Sequence, residues 1–387
     1  MNNTIRSFVT EQRCTEILST LVKINSTHPQ GNEMDVINAI LTYFKGHSIS
    51  YEIIDHGKNR GSLIITIPGK KSYEAVAFIG HVDTVSVNNL DEWSYPPFDA
   101  HLKDGFLYGR GAVDMKGGVT AMILTALYIL ENEVVPNCDL LFCFTADEEA
   151  NGMGALRLKE SGYLEKVKEI VIPEPTNEKM GIAEKGALWL GITAKGVAAH
   201  GSRPELGVNA IEYLFEFIQL LKNEMDTKSN HPLLGKSSIS INKIEGGIQT
   251  NIIPEYAKAV LDIRTLSVEE NEFIIRKAEE IAKNLNNQVR NLTISIDVEN
   301  NRAAIETPVE NSLVQKFKTI CDDLSIKTEY TGIIFYTDAS QLVPDLDVPF
   351  IIFGPGDEDL AHQRDEKISI SSIAKVTEVY IYYALNL

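Results

Sequence analysis

The sequence is poor in cysteine, in basic residues and in long apolar runs, and each shortage excludes a class of protein. Lys and Arg number 36 against 54 Asp and Glu, and the net charge of −18 argues against nucleic acid or anionic membranes as partners, because both attract basic surfaces. No apolar run has the length of a membrane span, and the first residues lack the basic and apolar regions of a signal peptide. We therefore expect a cytoplasmic protein.

Four cysteines in 387 residues are too few for a disulfide framework, so buried, reduced thiols are expected at Cys14, Cys138, Cys143 and Cys321.

Apolar stretches alternate with helical patterns in the first and last parts of the chain. Helical patterns such as 115–132 lie between stretches that are apolar throughout, as in strands buried on both faces. These stretches are 75–80, 139–146, 169–173 and 348–354. The alternation predicts an α/β domain with a mainly parallel sheet sandwiched by helices, and the chain length favours a second domain.

The middle of the chain has a different order of elements. Its patterns follow the order βαββαβ, which is typical of a ferredoxin-like α+β unit. They cover 185–195, 207–225, 237–245, 256–266, 269–286 and 291–298. The sequence therefore predicts an inserted domain at 183–299 and a larger, discontinuous domain made of 1–182 and 300–387.

Histidines and carboxylates follow the strands of the larger predicted domain. They are His81, Asp83, Asp114, Glu148, Glu149, Glu174 and His362. One such motif alone is more often structural, but ligands of α/β sheets collect where strands end at their carboxyl edges. Two imidazoles and several carboxylates at one edge suit a pair of metals such as zinc, with Asp83 fixing the tautomer of His81. The sequence contains no G-x-S-x-G motif, so nothing points to a serine nucleophile instead.

Seven ordered motifs resemble the two-metal metallopeptidase and aminoacylase family that includes acetylornithine deacetylase, succinyl-diaminopimelate desuccinylase and carboxypeptidase G. The motifs are "GHVDTV", "GRGAVDMKGG", "TADEEANGMGA", "PEPTN", "AAHGSRPELGVNAI", "FYTDA" and "GPGDEDLAHQRDE". The resemblance covers nearly the whole chain. It places the inserted domain where that family carries its lid and dimerisation domain, so a homodimer is expected.

The resemblance also implies a metal centre. Asp114 would bridge two divalent ions, of which one would add His81 and Glu174 and the other Glu149 and His362. Zinc is the expected metal, with cobalt or manganese as alternatives. The bond between Asp114 and Met115 is expected to be cis.

Further roles come from the same resemblance. Glu148 would be the general base, and His200 would reach the active site of the partner subunit and stabilise the oxyanion. Arg264 would capture the substrate carboxylate with its planar fork. Weaker candidates for substrate contacts are Asn251, Thr337 with its neighbour Asp338, and Gly354.

The implied activity is removal of the acyl group from an N-acyl amino acid, a small-molecule substrate. A metal-dependent dipeptidase or carboxypeptidase on the same scaffold is the alternative. A binding protein without catalysis is disfavoured, because all five implied ligands and the base are present. Ser86 and Arg364 depart from the residues usual at these motif positions, and Arg364 adds a cation beside the expected site.

Overall fold

The computed structural model describes residues 2–225 and 230–387, and its contacts divide the chain into two compact units. Unit 1 comprises Met1–Ile182, Glu306–Thr331 and Thr337–Leu387, and unit 2 comprises Ala183–Ile305 and Gly332–Tyr336. The sequence placed the second boundary after 299 and assigned 332–336 to the larger domain. The short segment 332–336 has no apolar period of its own, so no sequence pattern marks its change of unit.

The described elements alternate between strands and helices along most of the chain. The strands are β1 Ser50–Gly57, β2 Arg60–Ile67, β3 Lys71–His81, β4 His101–Lys103, β5 Phe106–Tyr108, β6 Cys138–Thr145, β7 Val167–Ile172, β8 Met180–Glu184, β9 Gly186–Lys195, β10 Ala199–His200, β11 Ser238–Gly246, β12 Ile252–Ile253, β13 Tyr256–Thr265, β14 Thr293–Arg302, β15 Ile305–Glu306, β16 Tyr330–Ile333, β17 Phe350–Ile352 and β18 Lys367–Ser369. The helices are α1 Asn2–Phe8, α2 Glu11–Val22, α3 Glu33–Tyr43, α4 Gly117–Glu131, α5 Met153–Glu160, α6 Ala210–Glu224, α7 Val268–Gln288, α8 Ser312–Asp323, α9 Ala339–Leu346 and α10 Ile370–Leu385.

A large mixed sheet organises unit 1. Its strand order is β1-β2-β6-β3-β7-β17-β8-β15, and β16 pairs with β8 off this path. The central strands β6, β3, β7 and β17 pair in parallel, while β1, β2 and β8 join antiparallel. The parallel centre is as predicted, and the antiparallel flanks make the whole sheet mixed. Parallel pairing brings the carboxyl ends of these central strands to one edge.

Unit 2 has the predicted ferredoxin-like architecture. Its antiparallel sheet has the order β11-β13-β9-β14, which follows from the chain order β9, α6, β11, β13, α7 and β14. The apolar positions of both helices pack with alternate strand residues into one core. Members of this core include Leu190, Ile192, Leu214, Ile218, Leu261, Ile263, Ile274 and Ile281.

The cysteines and the longest apolar helix are buried. All four cysteines are free and buried, as expected. By length and composition alone, Ala112–Glu131 could cross a membrane, although Asp114 and Lys116 interrupt its apolar run. However, 89% of its apolar window is buried inside the protein, as in the core helix of a globular domain.

Candidate metal centre

The ends of three neighbouring parallel strands carry four of the candidate side chains. His81 is the last residue of β3, Glu148 and Glu149 follow β6, and Glu174 follows β7. β3 pairs in parallel with both β6 and β7, so these four residues lie at one edge of the sheet. The sheet edge predicted from the sequence is therefore the edge at which these residues meet.

Asp114 and His362 come to this edge from irregular segments. Asp114 lies in the segment Ala112–Lys116 that precedes α4, where its backbone is not helical (φ −115°, ψ 97°), and its bond to Met115 is cis, as the resemblance implies. His362 lies in the segment between β17 and β18 and has a left-handed backbone with a φ of 63°. Its side chain is 50% exposed, whereas that of His81 is 1% exposed. The two histidines therefore differ in how firmly the fold holds them.

The two carboxylate oxygens of Asp114 face different histidines. His81 Nε2 lies 3.1 Å from Asp114 Oδ1, and His362 Nε2 lies 3.0 Å from Asp114 Oδ2. Each histidine has a second carboxylate nearby. His81 Nε2 is 3.4 Å from Glu174 Oε1, and His362 Nε2 is 3.1 Å from Glu149 Oε1. The cluster thus consists of two groups, each with one imidazole and one carboxylate, that share Asp114.

This set of donors is suited to divalent cations. Imidazole nitrogen and carboxylate oxygen are ligands that zinc accepts, and donor atoms of His81, Asp114 and Glu149 all lie within 4.8 Å of one another. Burial raises the pKa of Glu174 to about 8, with a further contribution from the nearby Asp114 carboxylate. A buried cluster of carboxylates that resists full ionisation gains stability when cations enter it.

Both histidines have raised pKa values, and the neighbouring carboxylates are the cause. Hydrogen bonds to Asp114 and Glu149 raise the pKa of His362 to about 10. Burial alone would lower the pKa of His81, but the carboxylates of Glu174 and Asp114 bring it well above its usual value. The carboxylates around each imidazole therefore favour a positive charge at this position, whether a proton or a cation supplies it.

Glu148 lies beside the two groups and is held by Asp83. Its Oε2 is 4.0 Å from His81 Nε2, and burial raises its pKa well above the usual range. The carboxylate oxygens of Asp83 accept the backbone N–H groups of Glu148 and Glu149, each at 3.2 Å. Asp83 therefore fixes the backbone that carries both glutamates.

The contact between Asp83 and His81 differs in detail from the prediction. His81 Nδ1 lies 3.0 Å from the backbone oxygen of Asp83, and 3.7 Å from its carboxylate Oδ1. A carbonyl oxygen only accepts, so Nδ1 carries a proton and Nε2 is the nitrogen left for a metal. The backbone of Asp83, rather than its side chain, makes the shorter contact with the ring.

In unit 2, the candidates His200 and Asn251 are neighbours. β10 pairs with β12, with His200 opposite Ile252, and Gly201 N donates to Asn251 O at 2.7 Å. The His200 side chain is exposed, and its Nδ1 accepts from Ser202 N at 3.2 Å. With Nδ1 an acceptor, the neutral ring carries its proton on Nε2, which is then a donor.

Arg264, on β13 of unit 2, has only part of its fork available. Its Nε and Nη2 donate to the carboxylate oxygens of Asp262, at 2.8 and 3.1 Å. Its Nη1 is buried and has no hydrogen-bond partner among the described residues. Bidentate capture of a substrate carboxylate, expected from the sequence, would require Asp262 to move, whereas a single hydrogen bond from Nη1 would require only that this buried atom be uncovered.

The remaining candidates have structural contacts of their own. Thr337 is buried at the start of α9, where its Oγ1 accepts Ala339 N at 3.1 Å. Gly354 follows β17 and is closely packed. A Cβ at this position would lie 2.2 Å from the backbone oxygen of Glu174. Glycine is therefore required for this segment to approach Glu174.

Two further residues beside the cluster were not singled out by the sequence analysis. Arg110 and Glu366 form a buried ion pair between the segments that carry Asp114 and His362. Both occur inside quoted motifs, "GRGAVDMKGG" and "GPGDEDLAHQRDE", and that is the signal that could have found them. Arg364, by contrast, pairs with Glu92 at the surface, and this partner offsets its charge.

The fold and the paired His and carboxylate groups are those of a metallohydrolase that acts on amide bonds. The sequence model of peptidase family M20/M25/M40 matches residues 77–386, and the chain belongs to this family. It is 31% identical to a "Probable succinyl-diaminopimelate desuccinylase" of Staphylococcus aureus (strain MSSA476), over 96% of each chain.

Solved structures share the fold at lower identity. Aminopeptidase PepT from Bacillus cereus ATCC 10987 aligns with a TM-score of 0.79 at 19% identity, over 97% of this chain and 98% of that chain. The YXEP protein of Bacillus subtilis, described as a dinuclear metal binding peptidase from the M20 family, aligns with a TM-score of 0.74 at 16% identity, over 98% of each chain. These likenesses show that the chain shares the fold of these solved structures.

Proposed function

We propose that this hydrolase removes the acyl group from N-acyl amino acids, and that a succinyl group is the first acyl group to test. The observation that carries the proposal is the position of Asp114, whose two oxygens face two histidines at 3.1 and 3.0 Å. The choice of succinyl rests on the name of the Staphylococcus aureus relative. The dipeptidase alternative would use the same cluster.

The metal-binding roles follow the two groups of the cluster. Asp114 would be shared, His81 and Glu174 would complete one ion's protein ligands, and Glu149 and His362 would complete the other's. The mixture of imidazole and carboxylate favours zinc, and cobalt or manganese suit the same donors. When bound, two such ions polarise the amide carbonyl and lower the pKa of the attacking water.

The chain's own residues move the proton. Glu148 accepts the proton of the attacking water and delivers it to the leaving amine. Its pKa is raised by burial, which suits a carboxylate that must hold a proton between these two transfers. Asp83 keeps Glu148 in place through the backbone N–H group, so the base stays close to the cluster without being one of its ligands.

The inserted domain would complete the site in a homodimer, which we expect to be cytoplasmic. His200 would reach the site of the partner subunit and donate from Nε2 to the oxyanion of the tetrahedral intermediate. The acceptor role of its Nδ1 toward Ser202 N supports this proposal, because it leaves the proton on Nε2. Arg264 would bind the substrate carboxylate through Nη1, with Asn251 as a second contact.

A reconstitution experiment tests this function. The protein is stripped with a chelator, reloaded separately with zinc, cobalt and manganese, and assayed on succinyl, acetyl and formyl amino acids beside dipeptides. We expect about two metal equivalents per chain at full activity, no turnover of the stripped protein, and fastest turnover of an N-acyl amino acid. Faster cleavage of dipeptides would favour the alternative, and full activity at one equivalent would contradict the two-metal centre.

A further inference from the structure

One buried ion pair joins the two irregular segments that carry Asp114 and His362. Arg110 Nη1 donates to Glu366 Oε2 at 2.6 Å, and the two side chains are 5% and 0% exposed. Arg110 precedes Asp114 in the same glycine-rich segment, and Glu366 follows His362 just before β18. The pair therefore connects two parts of the chain that are far apart in sequence and meet at the cluster.

Glu366 uses both of its oxygens as acceptors toward the Asp114 segment. Its Oε2 also accepts Gly111 N at 3.1 Å, and its Oε1 accepts Val113 N at 2.8 Å and Asp114 N at 3.2 Å. A carboxylate can accept at both oxygens, whereas a carboxamide would set its own NH₂ group against backbone N–H groups. This position thus demands glutamate rather than glutamine.

Arg110 has a second contact, with the other segment. Its Nη2 donates to the backbone oxygen of His362 at 3.3 Å, and its Cζ lies 5.3 Å from the centre of the Trp93 ring. His362 is half exposed and has a left-handed backbone, so the sheet does not hold it as it holds His81. A hydrogen bond to its carbonyl therefore constrains a residue that has little other support.

We propose that Arg110 and Glu366 form a clamp that sets the spacing between Asp114 and His362 and thereby determines how tightly the centre binds its metals. Both are positioning residues, because neither is a member of the cluster. The proposal rests on the proposed metal-binding roles of Asp114 and His362. It is independent of which amide is the substrate.

General energetics favour a positioning role over simple stabilisation. Removing two charges from water is costly, and buried ion pairs can often be replaced by apolar side chains without loss of stability. A pair that also directs hydrogen bonds to both metal-bearing segments has a geometric role that apolar side chains could not take. Side chains that orient metal ligands in this way commonly contribute 10- to 100-fold in metal affinity.

The clamp predicts different metal-binding defects for its two members. Glu366→Gln disturbs Asp114, which both ions share, so the affinity for both cobalt equivalents should fall about 10- to 100-fold. Arg110→Gln leaves the hydrogen bonds between Glu366 and the backbone of the Asp114 segment in place. It should therefore lower the affinity for mainly one cobalt ion, the one that His362 would bind. Arg110→Lys keeps a cation but lacks the fork, and should restore part of the affinity.

Cobalt titration of the stripped protein, followed by calorimetry and by the visible cobalt spectrum, measures these effects without any assay of activity. Glu169→Gln is the matched control, because Glu169 is a buried carboxylate of β7 that accepts from Tyr383 and takes no part in the cluster. We expect this control to bind two cobalt ions with the wild-type affinity and spectrum, whatever its effect on thermal unfolding.

Wild-type cobalt affinity and spectrum in folded Glu366→Gln protein would overturn the clamp. If circular dichroism shows that this variant does not fold, the two Arg110 variants test the clamp instead. Unchanged cobalt binding in both of them would overturn the clamp equally. A wild-type protein that binds two cobalt ions but cleaves no N-acyl amino acid would contradict the proposed substrate and leave the clamp standing. The two failures are therefore distinguishable.

Discussion

The candidate residues of unit 1 and unit 2 are held in different ways. In unit 1, His81 and Glu174 are 1% and 5% exposed, and each lies within 3.4 Å of another candidate ligand. In unit 2, His200 and Asn251 are exposed, and their contacts are local to β10, β12 and the adjoining turn. The first set is buried and held by contacts among its members, whereas the second is presented at a surface.

A pair of aspartates shows the same contrast. Asp83 is fully buried and fixes the backbone that carries Glu148. Asp262 is 18% exposed and accepts from two side chains, those of Arg264 and Asn242, rather than from the backbone of a site segment. We therefore expect substitutions at the unit 1 site to act on the chemical step and those in unit 2 to act mainly through the substrate or the partner subunit.

The contrast is sharpest for Glu148→Gln. This change keeps the shape and removes the base, so kcat should fall by about 10²- to 10⁴-fold while two metal equivalents remain bound. Glu149→Gln is the comparison, because it alters a proposed ligand and should instead lower metal content. Kinetics and metal analysis of the two purified variants separate the roles, and the same behaviour in both would contradict our division of the pair.

His200→Ala tests whether a surface residue of unit 2 contributes to chemistry. Loss of one donor to an oxyanion typically lowers kcat about 10²- to 10³-fold, and we expect a loss of this size with metal content unchanged. Mixing this variant with Glu148→Gln chains should restore some activity, because one site of the mixed dimer then has both residues intact. If verified subunit exchange restores none, His200 does not act on the partner's site.

Much of the fold could be predicted from the sequence, because apolar periodicity reports strands and helices directly. The strand predicted at 256–266 is β13, Tyr256–Thr265, and the helix predicted at 115–132 is α4, Gly117–Glu131. The meeting of His81, Glu149 and Glu174 also follows from strand order, since residues after parallel strands share one edge. These predictions needed only patterns that are local in sequence.

The contacts that the sequence did not predict depend on distant segments or on side-chain geometry. The four acceptor contacts of Glu366 involve Arg110 and the backbone of a segment more than 250 residues away, and backbone donors leave no mark on the sequence. The partial use of the Arg264 fork by Asp262 depends on a side-chain rotamer. Likewise, the apolar pattern of residues 332–336 does not indicate that this segment belongs to unit 2.

Arg264→Ala should have a smaller effect than Glu148→Gln or His200→Ala, and it tests recognition of the substrate carboxylate most directly. A hydrogen bond to a charged group is worth about 1.5 to 3 kcal/mol, so loss of the Nη1 donor should lower kcat/KM for an N-acyl amino acid roughly 10- to 100-fold. The corresponding carboxamide substrate lacks the charge and should be a poor substrate of wild type. The kcat/KM for the carboxamide should fall little further in the variant, so the preference for the acid should largely disappear.

Asp262→Asn is the matched control for this prediction, because it weakens the hold on Nε and Nη2 while keeping the arginine itself. If Asp262 positions Arg264 so that Nη1 is the working donor, this variant should keep the preference for the acid over the amide but bind the acid less well. If instead the whole fork captures the carboxylate after Asp262 moves, Asp262→Asn should bind the acid better than wild type.

The acid-to-amide ratio of kcat/KM across wild type, Arg264→Ala and Asp262→Asn distinguishes these two modes. An unchanged ratio in Arg264→Ala would show that another residue recognises the carboxylate. Arg364 would be the next to change, since its ion pair with Glu92 is exposed.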